Sequence, residues 1–194
     1  MNRTTLVASV ALASSLVAGA AVPAASAPAA APVAAPAAKA PTAQATAKRI
    51  AANKGIVLLD FHVSGKRDPR STARANIKDT AAGKRAHTST FAHPRGARVA
   101  LNGKMLQAML KLNTSKKFTF RVTSIAGGRH SAGSAHYKGR AFDVDLVNGS
   151  RVSTKGPGLV KARKLMSSCK AYGAKVVLGP GSDRAHSNHV HCQW

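Results

Sequence analysis

Apolar positions along this chain change their period several times, and each change marks an element. Ile56-Val-Leu-Leu-Asp-Phe-His-Val63 is mostly apolar and rich in β-branched residues, which predicts a strand. Phe118-Thr-Phe-Arg-Val-Thr-Ser124 alternates apolar with polar residues, the period-two pattern of a half-buried strand. Between these runs the period lengthens. Met105, Leu106, Met109, Leu110 and Leu112 make an apolar stripe near the helical period, and Asn102 is placed to cap that helix. A shorter helix is expected from a Ser71 cap through Asp79, ended by Gly83. Lys48 to Lys54 promises no more than a helical turn or two.

The C-terminal third repeats these patterns. Phe142 to Val147 reads as a strand, with Phe142, Val144 and Leu146 on the core face and Asp143, Asp145 and Val147 on the other. Val160, Ala162, Leu165, Met166 and Cys169 fit one face of a helix that Gly173 ends. Lys175 to Leu178 predicts a strand, and His189 to Trp194 a last one. There His189, His191 and Gln193 share one face, while Val190, Cys192 and Trp194 point to the core. Helices segregated from a run of strands indicate an α+β fold. The expected architecture is a single domain with a small antiparallel sheet flanked by helices.

The N-terminus stands apart. Residues 1–27 have Arg3, an apolar run from Leu6 to Ala21 and small residues after it, the layout of a secretory signal. Cleavage is expected after Ala20 or Ala27; Pro28 just beyond the second position counts against it. Residues 28–47 are almost only Ala and Pro, which predicts an extended spacer. Residues 48–194 are left for the folded domain, with no further segment able to span a bilayer. After export, Cys169 and Cys192 remain as an even pair, and a disulfide between them is expected.

Charge narrows the setting. Lys and Arg number 30 against 6 acidic residues, a formal net charge of +24. A basic surface of this size calls for an anionic partner. Aromatics are 4% of the residues, too few beside the basic runs for the stacking platforms of single-strand binders, so specific nucleic-acid binding is not expected. An exported chain meets anionic cell-wall polymers, peptidoglycan carboxylates or membrane lipids first. All six acidic residues are Asp. The absence of Glu excludes the His-Glu-x-x-His zinc-protease motif and any glutamate base.

Five of the eight histidines lie between positions 130 and 191. Hydrolytic zinc takes imidazole nitrogen and carboxylate oxygen from three protein groups and keeps one position open for water. His136, Asp143 and one of the two tail histidines, His189 or His191, supply such a set. His136 and Asp143 are seven apart with Gly139 between, a spacing that suits a turn leading into a strand. Ala126 to Gly133 is a glycine-rich loop before them, of the kind that lets backbone approach a ligand closely. His62, His87 and His93 are expected to be solvated or satisfied.

Ser134-x-His136-x-x-Gly139-x-Ala141-x-Asp143, followed by His189-x-His191, resembles the signature of the zinc D-Ala-D-Ala carboxypeptidase and murein D,D-endopeptidase family. The likeness covers about residues 99–194. It implies the fold shared with hedgehog signalling domains, and one Zn²⁺ held by His136, Asp143 and His191. It also implies catalytic roles for His189 beside the last ligand and for His186, and an Arg that holds a substrate carboxylate. Arg129 is the first choice for that cation and Arg121 the second. Ser134 is expected to orient the His136 turn. The activity implied is that of a secreted, cell-wall-associated, monomeric metallopeptidase acting on D-Ala-containing stem peptides. The alternative is a non-catalytic zinc module that binds anionic wall polymers, its ion closed off by a fourth protein ligand.

Overall fold

The computed structural model describes residues 40–194; the expected signal segment and most of the Ala/Pro spacer lie outside the described residues. The expected spacer runs too far. Helix α1 (Ala43–Ala51) begins inside it, with the Thr42 side chain accepting from Ala45 N. Thr46, Ala47 and Ile50 are buried, so α1 is part of the packed domain.

β1 (Ile56–Leu58) is short, and Phe61 and Val63 beyond it are exposed. A 3₁₀ turn (Pro69–Ser71) precedes α2 (Ala73–Ala81), whose cap is Thr72 and not Ser71. Ser71 is occupied elsewhere: its hydroxyl bonds Ser89 Oγ at 2.7 Å and His62 Nε2 at 3.0 Å. β2 (Ala86–His87) and β3 (Arg98–Val99) form a separate antiparallel pair. His62 and His87 are satisfied as expected, His87 by Asp79 at 3.2 Å. α3 (Gly103–Thr114) starts where the apolar stripe placed it, with Asn102 Oδ1 accepting from Met105 N at 3.0 Å.

The main sheet contains β1, β4 (Phe120–Ser124), β5 (Ala141–Val147), β6 (Ser150–Arg151), β7 (Val176–Leu178) and β8 (Val190–Gln193). Its order is β1-β4-β5-β8-β7, with β6 on β5. The fold is α+β, but the sheet is not purely antiparallel, because β1 pairs parallel to β4. A parallel neighbour needs a long crossover, and α2 and α3 lie between these strands in sequence.

Phe120, Val122, Phe142, Val144, Val190 and Cys192 fill the core face of the sheet. Fully burying side chains of this kind stabilises the fold by roughly 1.5–3 kcal/mol each. α4 (Gly156–Ala171) packs on that core through Gly158, Ala162, Leu165 and Cys169. Val160 does not join the buried stripe as expected and is 54% exposed, since it lies two residues from Gly158 and from Ala162, on another side of the helix. The disulfide joins Cys169 on α4 to Cys192 on β8.

A register shift between β4 and β5 leaves Asp145 unmatched, because Arg121 pairs with Leu146 and Val122 with Val144. The extra residue reverses the alternation beyond it. Val147 is therefore fully buried, opposite to the face that strict alternation assigns it. Asp143 lies before the shift and keeps the expected face.

Candidate metal centre

His136 sits in a 3₁₀ turn (His136–Lys138) that Gly139 closes at φ +65°. Only glycine enters that region freely, and a Cβ here would also collide with the Ala100 carbonyl oxygen. The Gly139 carbonyl accepts from Asn102 N at 2.8 Å, which ties the turn to the start of α3. The chain then enters β5, and Asp143 follows Phe142 onto the opposite face. β8 runs antiparallel beside β5 with His191 directly across from Asp143. Ser134 Oγ accepts from His136 N at 3.3 Å, the orienting contact expected of it.

Three ligand-type atoms converge as a result. His136 Nε2 lies 3.1 Å from His191 Nδ1 and 3.2 Å from Asp143 Oδ1, and His191 Nδ1 lies 2.9 Å from the same oxygen. The other ring nitrogens are committed. His136 Nδ1 donates to the Ile125 carbonyl at 2.6 Å, and His191 Nε2 faces Gln193 Oε1 at 3.5 Å. The Ile125 carbonyl on its far nitrogen leaves His136 Nε2 as a bare lone pair, while His191 Nδ1 donates to Asp143. All three residues are buried, with His136 1% exposed. Burial pushes the Asp143 carboxyl upward, but His136 and His191 hold it well below the usual carboxylate range. Burial opposes charge on His191 as well, and its bond to Asp143 outweighs that and raises it.

His130, which has no expected role, belongs to the cluster. His130, His136 and Asp143 place one ligand atom each within 4.8 Å of one another, close enough by distance alone for a metal ion. The glycine loop folds back so that the His130 ring stacks on His136 at 3.8 Å between centroids and 9° between planes. Gly127 makes this possible, because a Cβ there would strike the Ser71 carbonyl oxygen. Tyr137 Oη accepts from His130 N at 2.8 Å. Burial, then the charge of His136, pushes the His130 imidazole down to about 4, so it is neutral near pH 7. Its sequence signal was only its place in the loop, six residues before His136.

The remaining expected residues surround this cluster. His186 Nδ1 donates to Asp183 at 2.7 Å, and its ring lies 4.9 Å from that of His189 and 5.8 Å from that of His191. The bond to His186 holds the Asp183 carboxyl below its ordinary value. Burial lowers His189, whose Nδ1 donates to Asn188 Oδ1 at 2.9 Å. Arg129 is exposed in the wall of a groove of about 450 Å³ that also reaches His62, Asp145 and Arg151. Arg121 is not free for a substrate, because Asp145 takes both its Nε and Nη2 at 2.8 and 2.6 Å. A second groove of about 670 Å³ holds His136, His186 and His191. His130, Asp143 and His189 line both grooves, so the cluster stands where they meet.

Among the described residues, no helix is long and apolar enough to cross a membrane. No curated protein and no solved structure matches the chain. Residues 71–194 match the family model described as Extensin-like protein C-terminus, a span that contains the whole histidine–aspartate cluster. Covering well over half of the sequence, this match makes the chain a member of the Extensin-like protein C-terminal family.

Proposed function

We propose that the chain is an exported zinc hydrolase that cuts D-Ala-containing peptide bonds of peptidoglycan stems, with His136, Asp143 and His191 as the zinc ligands. The observation that carries this reading is the triangle of 2.9, 3.1 and 3.2 Å between their ligand atoms. Tetrahedral zinc at 2.0–2.1 Å from each ligand sets neighbouring ligand atoms about 3.3 Å apart, and the triangle is close to that size. Without an ion the three atoms are linked through the proton that His191 Nδ1 gives to Asp143 Oδ1, and a cation among them would take that proton's place. The motif Ser134-x-His136-x-x-Gly139-x-Ala141-x-Asp143 with His189-x-His191 adds the substrate class by resemblance to the zinc D,D-peptidases.

His191 supports a ligand role better than His130 does. An ion held by an imidazole nitrogen lies in the plane of that ring. The His130 plane runs parallel to that of His136, so one ion cannot lie in both. The His191 ring is tilted by 58° to His136 and meets this condition. Three protein ligands keep a position open, which suits hydrolysis more than a purely structural ion.

Bound zinc would supply an acidified water and an electrophile for a scissile carbonyl. The remaining steps fall to this chain's own groups. His189 borders both grooves, where it can accept a proton from the attacking water and pass it to the leaving amine. Asp183 fixes His186 with Nδ1 protonated, which leaves Nε2 as an acceptor beside His189. Among the described residues no carboxylate lies within 4.0 Å of Arg129, which is available in the first groove for a substrate carboxylate. The basic surface would retain the enzyme on an anionic wall, consistent with the disulfide expected of an exported protein.

The test is hydrolysis of purified muropeptides by zinc-loaded protein, followed by mass spectrometry. The proposal expects release of D-Ala or of a cross-linked partner, loss of activity with a chelator and recovery with zinc. Zinc-loaded protein that leaves every stem peptide intact would remove the peptidase reading.

A further inference from the structure

Two grooves border the histidine–aspartate cluster. His130, Asp143 and His189 belong to the walls of both, and the other residues that line the two grooves are different. The second groove has an unbalanced rim. Lys138, Arg140 and Lys175 border it, all three exposed, and among the described residues Asp143 is the one acidic side chain in its wall. Among the described residues no carboxylate lies within 4.0 Å of any of these cations. Two of them are fixed in position by the sheet. Trp194 N donates to the Arg140 carbonyl, and Lys175 N donates to the Gln193 carbonyl, so they flank β8 from neighbouring strands. At about 4.8 Å per strand their backbones stand roughly 10 Å apart, a spacing that can meet separate carboxylates along one extended peptide.

On these grounds we infer that the substrate is an anionic peptide strand that continues past the scissile bond on both sides, with carboxylates of one half received by Lys138, Arg140 and Lys175. This rests on the hydrolase reading above, and it makes the reaction cleavage of an internal bond over removal of a terminal residue. A terminal-residue enzyme needs a cation close to the reacting centre and a wall behind it. Arg121 is neutralised by Asp145, Arg129 stands in the first groove, and Lys138, Arg140 and Lys175 stand in the second, so cations border both grooves that share the cluster.

The test compares two substrates with zinc-loaded protein: a stem pentapeptide with a free C-terminal D-Ala, and the same stem extended through that D-Ala by an amide cross-link. The extended substrate should have a kcat/KM higher by roughly tenfold or more. The variant K138Q/R140Q/K175Q should retain zinc and raise KM for the extended substrate roughly tenfold with kcat little changed, as expected for several exposed ion pairs. An analogue with amidated side-chain carboxylates should show no such difference. Preference for the free end, or a KM indifferent to the triple substitution, overturns the inference and leaves the hydrolase reading standing. Calorimetric binding of the extended peptide to His189→Ala protein separates the two further. Binding weakened by the triple substitution supports the two-sided site even if no bond is cut. Absence of both binding and cleavage overturns inference and reading together.

Discussion

Asp143 and His191 face each other across the β5–β8 ladder, with Oδ1 and Nδ1 2.9 Å apart, although 48 residues separate them in sequence. Strand register alone brings them together. The disulfide from Cys192 to Cys169 and the seating of Trp194 against Phe142 hold β8 in that register.

Replacing a ligand should cost the ion itself. Asp143→Ala and His191→Ala are expected to reduce zinc from about one per chain to a small fraction after gel filtration, as measured by elemental analysis. His130→Ala is expected to keep zinc, because its ring cannot share an ion with His136. A zinc-free His130→Ala protein with zinc retained in His191→Ala would reverse the ligand assignment.

His189 lies beside the cluster without a place in the ligand triangle. His189→Ala should bind zinc stoichiometrically and lose at least ~100-fold in turnover, the usual range for losing an acid–base group. Zinc content and muropeptide hydrolysis on the same preparation check both halves. Loss of metal would make His189 a ligand.

Opening the disulfide should loosen the strand that carries His191. Cys169→Ala with Cys192→Ala is expected to lower stability by roughly 3 kcal/mol, given the length of the loop closed. Urea denaturation with and without the bridge measures it. A weaker zinc affinity should accompany the loss.

Asp68 offers a pH test away from the metal. Its buried carboxylate accepts from Thr90 N at 2.8 Å and Arg70 N at 3.2 Å. Burial raises its pKa, and these backbone bonds outweigh that and lower it overall. A folded-state value below the unfolded one means the contribution is complete above the unfolded pKa and is lost as pH falls through the folded one. Asp68→Ala should therefore be about 1–2 kcal/mol less stable than the parent at neutral pH. The gap should close as pH falls below ~4. A gap that stays constant to pH 2 would show that the carboxylate charge has no part in it.

Where one residue's period or chemistry set the outcome, the sequence was readable. The α3 stripe with its Asn102 cap, the sorted faces of β8 and the Cys169–Cys192 bridge are of this kind. So is the meeting of His136 with Asp143, which needs only the turn that Gly139 permits. What was not readable depends on distant partners. The parallel β1–β4 pair follows from the crossover path, and the burial of Val147 from the register shift at Asp145. His130 enters the cluster only because Gly127 lets the loop pack on Ser71. The pairing of Arg121 with Asp145, which favours Arg129 for a substrate contact, is a cross-strand event that no local pattern marks.

Every step proposed above depends on a single divalent ion held by two histidines and one aspartate from separate segments. Anomalous diffraction at the zinc edge from zinc-loaded crystals decides whether it is there. One peak should appear about 2.0–2.2 Å from His136 Nε2, His191 Nδ1 and an Asp143 carboxylate oxygen, with His130 outside bonding distance. No peak there, or a peak bonded to His130 in place of His191, would contradict it.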